Sequence, residues 1–541
     1  MLRSKLLSAL AIFQVSFLRP AQARHPPLGG PPANATDLKI IRSPQGAEIR
    51  FKEPGICETT PGVKSYSGYI SLNETTNMFF WFFERRKDPH DAPFTLWLAG
   101  GPGADSISSI FLGNGPCDIS ADLTAEHNPY SWNEVSNMLY LSQPIGVGFS
   151  YASAEEACFN KTSEEWDDCT EPNGRYYKVD PYAYPTSYAA AECTWHILQA
   201  FMTNLPQLDP TLSNKDVDFH LWTSSYGGHY GPAFFDYFYE HNLAISNGTE
   251  NGTRMNMGTL GILGGSIDLK IQMPYYNIFA SNNTYGIKVN DSVYTMMEFI
   301  YDMPNGCRNA LDLCASQDHS TFTGKVACAH ASLSCYGLIG AIRTALSRSE
   351  YDIRRPPQNS STQSYYDDFL NLAETQAALG VSINYTSPFS DIVYMGFLFY
   401  GDAAYPTFKT DLEDLLQKGV RVALFYGDAD YVANWMGGEA VSLALDFEGQ
   451  GEFRSAGYAP LVVGGKEYGV VRQYEDFSFA RIDECGHGIP ADQPKASLEF
   501  FRRTLEGLSV SDGLVRVGKS YKTNGTAKAT HTESYVPLAT E

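Results

Sequence analysis

The stretch Leu221–Pro232, LWTSSYGGHYGP, sets Ser225 between an apolar run able to form a strand (Val217, Phe219, Leu221, Trp222) and an aromatic run suited to a helix (Phe234, Phe235, Tyr237, Phe238). A strand that feeds a helix through a tight turn lifts a serine hydroxyl above a parallel sheet, because the strained backbone there needs small neighbours. The full elbow pattern has glycine two residues before and two after the serine, and here those positions are Thr223 and Gly227. Taken alone, the stretch reads equally well as a polar turn after a buried strand. The rest of the chain decides between the two.

Downstream, Val420 to Tyr426 (VRVALFY) reads as a strand that runs straight into Gly427-Asp428-Ala429-Asp430. Phe477 to Ile482 reads as another, with Glu484-Cys485-Gly486-His487-Gly488-Ile489-Pro490 as its exit loop. Ser225, Asp430 and His487 thus stand at strand exits in the chain order of an α/β-hydrolase. The chemistry requires a hydroxyl nucleophile, an imidazole that takes and returns its proton, and a carboxylate that holds the imidazole's tautomer. Asp428 and Asp402 compete with Asp430. Asp428 lies nearer the strand end, where the turn itself needs it, and Asp402 follows an apolar run that suits a helix as well as a strand. His229 competes with His487, but it should point back along the helix after the elbow and is read as structural.

Upstream, Phe94 to Leu98 is a buried strand ending in Ala99-Gly100-Gly101-Pro102-Gly103. Such a loop leaves backbone N–H groups bare above the sheet, as an oxyanion hole requires. It is not a phosphate loop, since no Gly-Lys-Ser/Thr follows. Hairpin-like strands over Lys39–Phe51 and Ser65–Glu84, a strand at Met138–Leu141, a helix at Thr186–Met202 and a strand at Leu260–Leu263 give the alternation of a doubly wound, mostly parallel sheet. From Leu269 to Ser390 the alternation stops. This segment holds a helix-like stretch, Tyr366–Leu379, and is read as an inserted, mainly helical, disulfide-stapled cap. Helices at Thr410–Gln417 and Pro494–Leu505 complete the sheet. The expected division is a signal peptide at 1–23, core at 24–268, cap at 269–390, core again at 391–510 and a loose polar tail at 511–541.

A formal net charge of −22 excludes the basic stripe that nucleic acid binding needs. Arg3 and Lys5 precede an apolar run, Leu6–Leu18, followed by Ala21-Gln22-Ala23, which reads as a cleaved signal peptide rather than a membrane anchor. Ten Asn-x-Ser/Thr sequons (Asn34, Asn73, Asn160, Asn247, Asn251, Asn282, Asn290, Asn359, Asn384, Asn524) agree with export and imply N-linked glycans. In an oxidising compartment most of the 10 cysteines should pair. The symmetric set Cys307, Cys314, Cys328 and Cys335 suggests nested bridges, 307 with 335 and 314 with 328, stapling a helical hairpin. Zinc is the rival reading of these four. Cys57 with Cys117 and Cys158 with Cys169 would leave Cys193 and Cys485 free.

The strings SYSGY, FFWFFE, LWLAGGPG, GNGPC, NPYSWNEVSNMLYLSQPIGVGFSYA, SSYGGHYGP, FYGDADYVANW and CGHGIP occur in that order between Cys57 and Phe501. Together they resemble the serine carboxypeptidases, secreted acid peptidases of the α/β-hydrolase fold. The resemblance implies Ser225 as nucleophile, His487 as base, Asp430 as its partner, and the N–H groups of Gly101 and Tyr226 as oxyanion hole. It implies peptide substrates, cleavage of C-terminal amide bonds without a cofactor, and a secreted or vacuolar enzyme. Three positions depart from the family, which grips the substrate's terminal carboxylate with Asn, Glu and Glu. Here the corresponding residues are Ala99 (with Gly100 beside it), Gly113 and Ser224. Hydrogen bonds to a charged group contribute about 1.5–3 kcal/mol each, so losing three removes at most roughly 4–9 kcal/mol from carboxylate recognition. The expectation is a secreted serine-type carboxypeptidase, or a carboxypeptidase-like hydrolase, that cleaves peptide C-terminal amide bonds with altered selection for the terminal carboxylate. An acyltransferase or esterase on the same triad, and a noncatalytic binding protein, are the rivals.

Overall fold

The computed structural model describes residues 37–160, 165–178, 180–357 and 365–538. The signal peptide and the sequons at Asn34 and Asn359 lie outside them. In chain order the strands of the main sheet are β1 (Lys39–Arg42), β2 (Glu48–Lys52), β3 (Ser65–Asn73), β4 (Thr76–Phe83), β5 (Phe94–Leu98), β6 (Asn137–Leu141), β7 (Asp218–Ser224), β8 (Asn256–Leu263), β9 (Arg421–Gly427), β10 (Ala459–Val463), β11 (Lys466–Tyr474) and β12 (Phe477–Ile482). Across the sheet they lie in the order β1-β2-β3-β4-β6-β5-β7-β8-β9-β12-β11-β10. The six from β6 to β12 across the centre are mutually parallel. Antiparallel hairpins flank them on both sides.

The central strands read as continuous apolar runs because both of their faces are covered. Phe219 and Leu221 of β7 join one core with Ile197, Phe201 and Phe234 from the helices Ser187–Leu208 and Gly227–Ser246. Trp222 joins the opposite core, where it meets Phe501 of the helix Pro494–Leu505 at 5.2 Å between ring centroids. Alternate residues of one strand therefore anchor two layers of helix. The carboxyl ends of the parallel strands are left to carry loops, the usual place for a site in an open α/β sheet.

All four expected cysteine pairs form, the last two as read from their symmetric spacing: Cys57–Cys117, Cys158–Cys169, Cys307–Cys335 and Cys314–Cys328. The last two staple the helices Cys307–Ala315 and Phe322–Ile339 of the insert. His319 lies beside Cys314 and Cys328, but their sulfurs are bonded to each other, so no thiolate remains there for zinc. Cys193 and Cys485 are free and buried.

Three expectations change. The helix over Tyr366–Leu379 is two helices, Tyr365–Leu370 and Ala373–Leu379. Asn371 breaks it, because its side chain donates to Tyr385 O (2.8 Å) and accepts from Tyr385 N (3.0 Å), bonds that compete with the helix. The tail after Ser511 is not loose. Thr526 exchanges both backbone hydrogen bonds with Tyr458, Thr523 N–H bonds Gln473 O, and Arg348 Nη2 holds Val536 O at 2.7 Å. Finally, Asn384 is fully buried, and its backbone N–H bonds Arg175 O. A glycan there has no room, so glycopeptide mapping should find occupancy among the exposed Asn73, Asn247, Asn251, Asn282, Asn290 and Asn524 and none at Asn384.

Candidate active site

β7 ends at Ser224, and Ser225 then takes φ 61°, the left-handed region that a non-glycine residue rarely adopts. Its N–H donates to Leu263 O at the end of β8 (2.9 Å), and its C=O accepts from Gly228 N (2.9 Å) and Ser266 N (3.0 Å). The helix Gly227–Ser246 starts two residues later. Thr223 stands where the elbow pattern has its first glycine. Its hydroxyl donates to Gly227 O at 2.9 Å, so the turn is closed by a side chain.

The glycine-rich loop after β5 backs directly onto this turn. A Cβ on Gly100 would lie 2.4 Å from both Ser224 O and Tyr226 N, and 2.8 Å from Ser225 Cβ. Only glycine admits that approach. Among the described residues, no hydrogen-bond partner takes the N–H of Gly101 or of Tyr226. Ala99, at the strand end, donates its N–H to Ser106 Oγ at 3.1 Å.

Asp430 and His487 meet as the sequence suggests. His487 Nδ1 is 2.7 Å from Asp430 Oδ2, while Asp430 Oδ1 accepts from Ala433 N at 3.1 Å. Asp430 is wholly buried, and the imidazole keeps a partly exposed edge. Burial pulls the imidazole down, but the charge on Asp430 and the hydrogen bond to it outweigh that and hold His487 above its ordinary value. Both side chains of this pair sit beside Gly264: a Cβ there would be 3.2 Å from Asp430 Oδ2 and 3.3 Å from His487 Nδ1. Gly264 follows Leu263, the residue that accepts the Ser225 N–H, so the pair lies over the strand end that holds the elbow.

The competing groups have other work. Asp428 Oδ1 accepts from Tyr285 Oη (3.0 Å) and Cys485 N (3.2 Å), tying the exits of β9 and β12 together. Asp402 Oδ2 accepts from Tyr226 Oη and Ser187 Oγ, both at 2.6 Å, which anchors the residue after Ser225. Burial pushes the Asp402 carboxyl up to about 6 against the opposing hydrogen bonds from Ser187 and Tyr226. His229 stacks on Tyr226 at 4.3 Å and bonds Ala403 O, and burial takes it down to about 4, so it is structural. Tyr351 was not singled out by sequence reasoning. It comes from the insert, its backbone C=O accepts the backbone N–H of His487 at 2.8 Å, and its half-exposed ring lies 5.4 Å from the imidazole.

Ser224 is half-buried at the end of β7. Gly113 is more constrained: its φ is +103°, and a Cβ would stand 2.6 Å from both C and O of Pro490, three residues past His487. Asn128 Nδ2 fixes this loop by donating to Gly113 O (3.1 Å) and Gly115 O (2.9 Å).

The family described as serine carboxypeptidase matches residues 54–507 of the chain. Carboxypeptidase S1 homolog A of Arthroderma otae is 36% identical over 98% of this chain and 87% of that protein. Carboxypeptidase S1 of Penicillium janthinellum is 36% identical over 85% of this chain and 99% of that protein. Among solved structures, Kex1(delta)p, a prohormone-processing carboxypeptidase from Saccharomyces cerevisiae, superposes with a TM-score of 0.63 at 18% identity. That likeness of fold spans 87% of this chain and 97% of that one.

Proposed function

The chain belongs to the serine carboxypeptidase family and is a serine-type carboxypeptidase, and on that premise we propose that Ser225, His487 and Asp430 carry its reaction. The observation that supports the assignment is the 2.7 Å hydrogen bond between His487 and buried Asp430, set over the strand end to which the left-handed Ser225 is tied. Ser225 Oγ bonds to the carbonyl carbon of the last peptide bond while His487 takes its proton. The carbonyl oxygen gains negative charge, which the free N–H groups of Gly101 and Tyr226 stabilise. His487 then gives the proton to the leaving amine, and the C-terminal residue departs. Water, deprotonated by the same imidazole, attacks the acyl ester and restores Ser225. Asp430 holds Nδ1 protonated throughout and balances the imidazolium.

The carboxylate grip of this enzyme is altered. The three residues at its positions offer no polar side chain at 99 and 113 and only a hydroxyl at 224. At 113 the loop lies against Pro490, so that a side chain there would meet the Pro490 carbonyl at its Cβ. Selection for a free terminus is therefore weak, and amides, esters and amine acceptors become competitive with the usual substrate and with water. Without a pair of protonated glutamates, the pH profile follows His487. Since that imidazole titrates above its ordinary value, the base form accumulates, and kcat/KM rises, as pH increases toward and past neutral.

Matched peptides with free and amidated C-termini, assayed across pH, test this. The expected result is a small preference between them and a rising profile. Ser224→Glu should shift the preference toward the free acid by about ten-fold, the value of one such hydrogen bond. A wild-type profile peaking at about pH 4 to 5, the carboxylate range, together with strong preference for the free acid, would overturn the altered grip while leaving the triad assignment standing.

Export accounts for the four disulfides and for the exposed sequons, which we take to carry N-linked glycans, with secretion or a vacuole as destination.

A further inference from the structure

Asp428 and Asp483 are the first residues beyond β9 and β12, and the register of these parallel neighbours pairs Gly427 with Ile482. Two carboxylates are thereby placed side by side at the floor of the strand exits, an arrangement that like charges resist unless a cation joins them. Asp428 is wholly buried. Its Oδ1 is hydrogen-bonded, but its Oδ2 has no hydrogen-bond partner among the described residues. The C-terminal tail brings His531 to this point. Its Nε2 lies 3.3 Å from Asp428 Oδ2, 3.6 Å from Asp483 Oδ1 and 3.4 Å from Glu533 Oε1. Despite those distances, His531 Nε2 makes no hydrogen bond with any of them, nor with any other described residue.

We propose that His531, Asp428 and Asp483 form a site for a divalent cation of the zinc class, with Glu533 beside it as a further carboxylate ligand. The three ligand atoms lie within 4.8 Å of one another. Tetrahedral zinc with bonds of about 2.0–2.2 Å requires ligand atoms about 3.3–3.6 Å apart, which is the spacing around Nε2. One imidazole nitrogen with carboxylate oxygens is a donor set that suits zinc. Arg481 Nη2 also donates to Asp483 Oδ1, at 2.9 Å, which leaves that oxygen a second lone pair. Three carboxylates and one guanidinium give the cluster a formal −2, the charge a dication neutralises. The chemical consequence is mechanical. Asp428 lies two residues before Asp430 and Asp483 four before His487, so a bound cation would clamp the tail onto both loops of the proposed triad. The site stands independently of how Ser225 acts.

The test uses the full, tag-free chain, stripped with EDTA and titrated with zinc by calorimetry, with thermal unfolding followed in parallel. One saturable zinc per chain and a higher Tm with zinc are expected. His531→Ala, on the half-buried tail, should fold and weaken binding at least about 10–100-fold, and Asp483→Asn should do the same. Absence of saturable binding, or binding that neither variant weakens, overturns the site. So does the outcome in which EDTA and zinc leave Tm unmoved while His531→Ala lowers it, since His531 is then an imidazolium counter-ion.

Discussion

Ser225→Ala is expected to lower kcat by about a million-fold, the loss seen when a serine nucleophile that works as a unit with its base is removed. The variant should still fold. Alanine deletes one oxygen, keeps the N–H bond to Leu263 O and the two bonds accepted by the residue's carbonyl, and tolerates the left-handed backbone no better and no worse than serine. That backbone offers an internal control. Glycine adopts φ 61° freely, so Ser225→Gly should be equally inactive yet more stable than Ser225→Ala, by about 1 kcal/mol. A fluorophosphonate should label the wild type and neither variant. Labelling that persists in Ser225→Ala would assign the nucleophile elsewhere.

Asp430→Asn should cost about four orders of magnitude in kcat, the size of effect known when a triad carboxylate becomes an amide. The geometry here says why. Oδ1 accepts from Ala433 N, so an asparagine keeps its oxygen on that side and turns its NH2 toward His487 Nδ1. The imidazole must then present a lone pair at Nδ1 and carry its proton at Nε2, which removes the acceptor that Ser225 needs. The fold should survive, because the amide conserves both contacts and volume. The support that holds His487 above its ordinary value disappears with the charge, so the residual activity should also emerge at lower pH than in the wild type. A loss of ten-fold or less, with an unmoved profile, would show that a different acid orients the imidazole.

The groups proposed to carry the reaction could be picked out in the sequence because each stands where a short-range pattern ends: an apolar run, then small or acidic residues at a strand exit. Cys307, Cys314, Cys328 and Cys335 were legible from symmetry alone, since helical hairpins pair equal spacings. What escaped is tertiary. Nothing near Tyr351 in sequence says that a loop of the insert reaches His487, and nothing near Asn371 says that Tyr385 will draw its side chain out of a helix. Asp402 looked like a rival acid because it shares the apolar-run-then-Gly-Asp pattern with Asp430. Its burial against Tyr226 and Ser187 is what separates them. The tail misled for the opposite reason: polar composition suggests looseness, but its order comes from backbone bonds to Tyr458 and Gln473 that composition does not encode.

If the grip is altered as proposed, the closeness of Gly113 to Pro490 would give that change a direction in time. On that proposal, exchanging a glutamate for glycine at 113 would be one step, one that lets the chain settle against the loop that carries His487. Going back is not one step, because the returning side chain meets the carbonyl of Pro490 before it can reach a substrate. The loop would have to lift first, and with it the base. Such a contact would then work as a ratchet: a lineage that crossed it could refine what it accepts far more readily than recover what was bound before.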